Sequence, residues 1–260
     1  MQEIMGKCSQ LRSLNYYGVQ DVGPDLQTLH CLRVLVFENC HGIGTQHIKH
    51  LESFFRLAYL SISSDGITEL PEQIGDLKYL QTLDIRHSGI KKLPPTIGRL
   101  QNLARLLVGN DVELPNEIGD LQALQELSDA GKYDSIKFVQ ELRRLTRLSV
   151  LRIMLHDSNK LGDHNTENYE ESLKSSLAMM EETGSKIGFE FGFEHLASLQ
   201  QLSVTVDCRG ATRQRVEAAE AAMRDAASIH PGRPALEISR RWERDMIKDK
   251  DDHEEIVQVE

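Results

Sequence analysis

Cys31, Cys40, His41, His47 and His50 form the only grouping along the chain with the residue types that bind transition metals. Zinc sites favour tight Cys-x2-Cys pairs followed by paired histidines. Here the two cysteines belong to the strand-bearing part of one repeat, so a structural role is expected and no metal. The carboxylate pairs Glu170/Glu171, Glu181/Glu182 and Glu254/Glu255 are adjacent in sequence and would face different ways on a helix, which suits solubility better than acid–base work. Thr183-Gly-Ser-Lys186 lacks the glycine-rich loop that cradles a phosphate, and neither a Gly-x-Ser-x-Gly elbow nor a His-Glu-x-x-His helix occurs. The expectation is a non-enzymatic chain without catalytic residues, cofactor or metal.

Composition narrows the partners. The 260 residues are 40% hydrophobic and 27% charged, a globular balance, and 30 basic against 40 acidic residues leave a formal charge of −10. A broad phosphate-neutralising surface is therefore not expected, nor is nucleic acid as a partner. Four cysteines spread over so long a chain, an N-terminus without an apolar signal core and the lack of any bilayer-length apolar run suggest a reduced, cytoplasmic protein with no transmembrane segment.

What must position any site is a repeat. In the pattern L-x-x-L-x-x-L-x-L/I/V, the third Leu falls at Leu35, Leu60, Leu83, Leu106, Leu127 and Leu151, at intervals of 25, 23, 23, 21 and 24, with a further match at Leu202. Ile74-Gly75-Asp76-Leu77 recurs as Ile97-Gly98-Arg99-Leu100 and Ile118-Gly119-Asp120-Leu121, and Leu70-Pro71, Leu93-Pro94 and Leu114-Pro115 punctuate the same units. This period and pattern define leucine-rich repeats, each a short strand with an irregular or helical return. In L-x-L/I/V the flanking side chains point into a core and the middle one points away. One unit cannot bury its apolar face alone, so units stack. Proline after Leu removes a backbone donor and turns the chain onto the convex side. Cys40, Asp65, Ser88 and Asp111 occupy the slot after each strand where a short polar side chain can bond the turn backbone.

The predicted fold is thus α/β, a leucine-rich-repeat solenoid with a curved parallel sheet and an irregular, partly helical convex side. Asp129 stands where an inward residue should be, so its unit is either poorly formed or shifted in register. The solenoid is expected over 1–210, with an amphipathic helical insertion near 157–195 carried by Tyr169, Leu173, Leu177 and Met180. Residues 211–242 are expected to be a C-terminal cap. Thr212 would start its helix, with Val216, Ala219, Met223 and Ala226 on one side; His230-Pro-Gly232 would stop it, and a short strand over 234–238 would come next. The segment 243–260, with eight acidic and three basic residues, is expected to be a solvated acidic tail.

Alternation leaves the exposed concave face as the candidate site. Val36 and Glu38, Ser61 and Ser63, Asp84 and Arg86, Leu107 and Gly109, Arg152 and Met154, and Ser203 and Thr205 would project from it. No single charge dominates, which suits protein recognition rather than a polyanion groove. Seven strands at ~4.8 Å spacing give a strip of roughly 450 Å², below the ~800 Å² per partner of a standard interface, so tight binding would also need rims or the insertion.

The blocks Ile67-Thr-Glu-Leu-Pro-Glu-Gln-Ile-Gly75, Tyr79-Leu-Gln-Thr-Leu-Asp-Ile-Arg86, Lys92-Leu-Pro-Pro-Thr-Ile-Gly-Arg-Leu100 and Glu113-Leu-Pro-Asn-Glu-Ile-Gly119 resemble the repeat region of plant coiled-coil, nucleotide-binding, leucine-rich-repeat disease-resistance proteins, those of grasses in particular. Val216-Glu-Ala-Ala-Glu-Ala-Ala-Met-Arg224 and Ile229-His-Pro-Gly-Arg-Pro234 are similar to the C-terminal end of the same proteins. The resemblance implies a module that senses a pathogen effector or guarded host protein, or contacts other immune-receptor domains. It does not carry over the nucleotide-driven switch, whose domains this chain lacks. Two other readings are a Ras-group-type signalling scaffold and a substrate-docking subunit of a ligase or phosphatase.

Overall fold

The computed structural model describes residues 10–18, 29–40, 42–130, 141–155 and 195–247. The helical insertion expected near 157–195 and most of the expected acidic tail lie outside them. Nine strands form one all-parallel sheet in chain order: β1 (Ser13–Tyr17), β2 (Val34–Glu38), β3 (Tyr59–Ser63), β4 (Thr82–Asp84), β5 (Arg105–Leu107), β6 (Glu126–Ala130), β7 (Val150–Leu155), β8 (Gln201–Asp207) and β9 (Ala235–Arg241). The frame leucines pair across the whole sheet: Leu35 with Leu60, then Leu83, Leu106, Leu127, Leu151 and Leu202, all with essentially no solvent exposure. Leu14 of β1 and Leu236 of β9 extend the same ladder at its two ends. Neither is in the frame read from the sequence: β1 keeps only Leu11 of the two spaced leucines ahead of it, and β9 comes after a helix rather than a leucine return. A ladder of identical aliphatic side chains in register is the stacked core that a single repeat cannot supply.

The return segments are short 3-10 turns: Glu72–Asp76, Pro95–Arg99 and Asn116–Asp120 come after the three Leu-Pro pairs, with Pro71, Pro94 and Pro115 in extended conformation as their N-caps. Each turn buries its Ile and Gly and closes when the N–H of Leu77, Leu100 or Leu121 donates to the carbonyl of Ile74, Ile97 or Ile118. The Ile-Gly motif has a steric cause. A Cβ on Gly75 would sit 2.5 Å from the Thr96 carbonyl oxygen, and one on Gly98 would sit 2.7 Å from that of Glu117, so neighbouring turns stack closer than alanine allows. Gly98→Ala is therefore expected to destabilise by about 1–3 kcal/mol in a denaturant melt, with circular dichroism of the folded state unchanged.

The polar slot after each strand behaves unevenly. Cys40 is buried, its thiol donating to the carbonyls of Tyr16 and Glu38 at 3.4 Å. The Ser88 hydroxyl donates to Ile85 and accepts from the Ile90 N–H. In the β3 unit the neighbour makes these bonds instead: Ser64 Oγ donates to the carbonyls of Cys40 and Ile43 at 2.6 and 2.8 Å, while Asp65 faces solvent. Asp111 is also exposed, pairing with Lys91 at 3.5 Å.

The register between β6 and β7 shifts. Leu127 pairs with Leu151, but Ala130 rather than Asp129 pairs with Ile153, so the strand carries one extra residue there. The bulge removes the aspartate from the inward register position, the second of the two outcomes its position allowed.

Helix α1 (Arg213–Ile229) starts at Thr212, whose hydroxyl accepts from the Arg215 N–H, and ends at His230, whose Nδ1 accepts from the Gly232 N–H at 2.9 Å. Its buried line runs Val216, Glu220, Met223 and Ala227, rotated slightly from the expected one. Glu220 in that line is answered by β9: Arg240 Nε donates to Oε1 at 2.5 Å, and Arg224 donates to Oε2 at 3.0 Å.

Candidate protein-binding face

The parallel register lays the outward residues in cross-strand rows. One row runs Asn15, Val36, Ser61, Asp84, Leu107, Ser128, and beyond the bulge it continues as Arg152, Ser203, Glu237. Two positions further along, Tyr17, Glu38 and Ser63 lie side by side, as do Met154, Thr205 and Ser239. All ten candidate residues thus fall on or directly beside one sheet face. Nine strands make the strip about 40 Å long and roughly 600 Å² in area, larger than seven strands would give and still below a standard interface.

Accessibility along the face is less uniform than alternation implies. Glu38 is exposed, and Ser61, Ser63, Leu107, Arg152, Ser203 and Thr205 are half-buried. Asp84 and Met154 are buried, at 8% and 3% exposure, so neither presents an open side chain. Arg86 is not a free solvent-facing cation either. Its Nε and Nη2 donate to the two Asp84 carboxylate oxygens at 3.0 and 2.7 Å, and its backbone N–H reaches the same carboxylate. Residue alternation sets the direction of a side chain, whereas a long neighbour folding back over it sets its exposure. Other pairs tie adjacent strands together. Arg152 bonds Glu126, Ser203 Oγ donates to Glu237 at 3.4 Å, and the Thr205 and Ser239 hydroxyls meet at 3.1 Å.

The face expected from the sequence ends at Thr205, and the structure extends it to two further residues. Asp207 and Arg209 repeat the Asp84/Arg86 geometry: Nε and Nη2 of Arg209 donate to Asp207 at 3.0 and 2.6 Å, and the Arg209 N–H donates as well. Those hydrogen bonds hold the Arg209 proton more firmly than usual. The guanidinium carbon of Arg209 lies 3.9 Å from the centroid of the Trp242 ring, and that of Arg241 lies 4.5 Å from it. The signal that could have revealed this pair was the repeated Asp-x-Arg spacing at the end of two strands.

Of the metal-type residues, Cys40 is committed to backbone carbonyls and His47 Nδ1 accepts from the Gly44 N–H at 3.0 Å, while His41 lies outside the described residues. No three His, Cys, Asp or Glu side chains are grouped to hold a metal among the described residues. A groove of about 710 Å³ between the 3-10 turns is lined by polar groups already bonded to one another, such as Arg144 with Asp120 and Gln122 with the Gly119 carbonyl. No helix among the described residues is long and apolar enough to cross a membrane.

Comparison with known proteins places this architecture. The family model described as a leucine-rich repeat region matches residues 10–185 and 171–236. The chain is 33% identical to the rice (Oryza sativa subsp. japonica) disease resistance protein RGA5 over 150 residues, 56% of this chain and 13% of that protein. It is 33% identical to rice disease resistance protein Pik-2 over 103 residues, 39% of this chain and 10% of Pik-2. The matches thus cover only about an eighth or less of those relatives. Among solved structures, a leucine-rich-repeat protein of Leptospira interrogans aligns with TM-score 0.55 at 23% identity over 77% of this chain and 46% of its own. The plant peptide hormone receptor RGFR1 aligns with TM-score 0.53 at 16% identity over 89% of this chain and 32% of its own; both likenesses concern the fold alone. A ladder of leucines from Leu14 to Leu236, Ile-Gly turns that stack only without a Cβ, and a family match across nearly all of that span agree: the chain belongs to the leucine-rich repeat region family, and its repeats are similar to those of rice disease resistance proteins.

Proposed function

We propose that this chain is a non-enzymatic protein-recognition module of plant defence, acting in the cytoplasm. Its concave face would engage a pathogen effector, a guarded host protein or another domain of an immune receptor. The observation that carries this reading is the face itself. Serines, Glu38, Leu107 and paired charges alternate along a rigid nine-strand strip without one dominant sign, which is the chemistry of a protein contact. The net charge of −10 speaks against a nucleic-acid partner. The names of the rice relatives supply the context of defence.

The test is affinity capture from infected and healthy tissue with wild type and with Ser61→Arg and Ser203→Arg, two substitutions at half-buried positions on the face. Capture of a partner that falls about tenfold or more with either variant is the expected result. Equal capture by all three proteins would remove the concave face as the recognition surface.

A further inference from the structure

The pattern L-x-x-L-x-x-L buries its apolar positions from Leu29 onward and leaves its spacer residues along one rim, where each coil approaches its strand. From β1 to β5 those spacers hold Arg12, Arg33, Arg56, Lys78 and Arg105, and no carboxylate. The first spacer carboxylate is Glu126, which lies beside Arg105 in register but is bonded to Arg152. In a chain of net charge −10 this stretch is locally cationic.

All five cations are exposed, and none lies within ion-pair distance of a carboxylate among the described residues. Arg56 rests over the Phe55 ring at 5.7 Å, a contact that holds the guanidinium without neutralising it. Tyr79 takes the place of Arg56 in the next unit and is exposed, with a hydroxyl able to donate to a carboxylate.

The row is set on a fixed ladder. The N–H groups of Arg33 and Val34 both donate to the Arg12 carbonyl, at 2.7 and 3.0 Å. Those of Ala58 and Tyr59 donate to the Arg33 carbonyl at 2.8 and 3.0 Å, and those of Gln81 and Thr82 to the Ala58 carbonyl at 2.8 and 3.1 Å. Ala104 and Arg105 do the same to Gln81. The backbone of the row is thus ordered before anything binds, which lowers the cost of binding. Five strands at ~4.8 Å spacing spread the cations over roughly 20 Å.

We propose that this rim, from β1 to β5, binds an acidic segment of a partner protein. A single exposed ion pair contributes little, so recognition comes from several cations engaging one extended chain together. In the return turns, exposed Glu52 and Asp76 border the row on its convex side. A narrow cationic line with carboxylates beside it fits one acidic polypeptide; nucleic acid would bring its uniform phosphate charge against those carboxylates. This assignment rests on the reading of the chain as a protein-recognition module. It adds a charged margin to a concave strip that is by itself smaller than a standard interface.

The full chain is titrated, by fluorescence anisotropy, into a labelled peptide of alternating Glu and Ser, its Gln/Ser counterpart and a single-stranded DNA of equal charge. Saturable binding of the Glu peptide, weakened by added salt, is the expected result. Arg33→Glu/Arg56→Glu is expected to weaken it about tenfold or more, and Arg33→Gln/Arg56→Gln, which adds no repulsion, about threefold or more. Arg99→Glu/Arg244→Glu makes the same change in net charge at exposed sites off the rim and is expected to leave binding unaltered. Equal losses in the two Glu pairs, equal binding of the Gln peptide, tighter binding of the DNA, or no binding of the Glu peptide would each overturn the assignment. If Ser61→Arg and Ser203→Arg abolish partner capture while Arg33→Glu/Arg56→Glu keeps both capture and peptide binding, the recognition reading stands and this rim falls.

Discussion

Leu83→Ala is expected to lower the unfolding free energy by about 2–5 kcal/mol, because it empties a position with no solvent exposure at the centre of the leucine ladder. Leu83 pairs with Leu60 on one side and Leu106 on the other, so the cavity would open into two neighbouring repeats at once. In a stacked solenoid each unit is stabilised by its neighbours, and a loss at an interior interface is shared by both. The informative comparison is Arg86→Ala, three residues along the same chain segment. Alternation alone would put its cost within roughly 0.5 kcal/mol, the value for an uncommitted surface side chain. The fork onto Asp84 raises that to about 1 kcal/mol, since removing the guanidinium strips a largely buried carboxylate of its main donor. Chemical melts of the two variants should keep the order Leu83 well above Arg86. Equal losses would mean that the ladder is not the core.

Glu220→Ala is the second large effect, expected at about 2–4 kcal/mol. Glu220 is 6% exposed on α1 and holds Arg240 of β9 and Arg224 of its own helix. Truncation leaves Arg240, itself about a quarter exposed, without the carboxylate that ties α1 to the last strand. The same contact predicts a pH dependence. Hydrogen bonding from Arg240, reinforced by Arg224 against the opposing effect of burial, pushes the Glu220 carboxyl below its ordinary value of 4.5. A carboxyl whose folded pKa is depressed binds its proton more weakly in the native state than in the unfolded chain. Its contribution is therefore complete above about pH 4.5 and is lost as pH falls through the lower folded value. The gap between wild type and Glu220→Gln, tracked by urea melts across pH, should stay constant from neutral down to about 5 and shrink below 4.5. A gap that does not change with pH would show that Glu220 contributes no charge to the contact.

Much of the architecture was legible because its cause is local and repeated. Leu35, Leu60, Leu83, Leu106, Leu127, Leu151 and Leu202 stand out by spacing alone, and each of them is a core residue in register with the next. The Leu-Pro pairs marked the exits onto the convex side for the same reason, since a missing backbone donor acts wherever it occurs. Leu14 and Leu236 escaped because Leu14 has only Leu11 of the two spaced leucines ahead of it and Leu236 has neither, too little for a periodic signal. Asp129 was legible as a disturbance but not as a bulge, because the extra residue is defined only against the partner strand β7. Glu220 reads as a surface helix residue until β9 brings Arg240 beneath it.

The amino-acid order by itself therefore determined the repeat, the inward and outward sides of most strands and the positions of the turns, since these arise from periods of two and of some two dozen residues. Only the tertiary structure decided which outward residues are accessible and which charges are already spent on each other. It alone brought Arg86, Lys91, Arg209, Arg241 and Trp242 around one cleft. The physical reason is range. Side-chain direction is set by the backbone of the residue itself, whereas exposure, pairing and the sign of the local field depend on neighbours that stacking brings together from far along the chain.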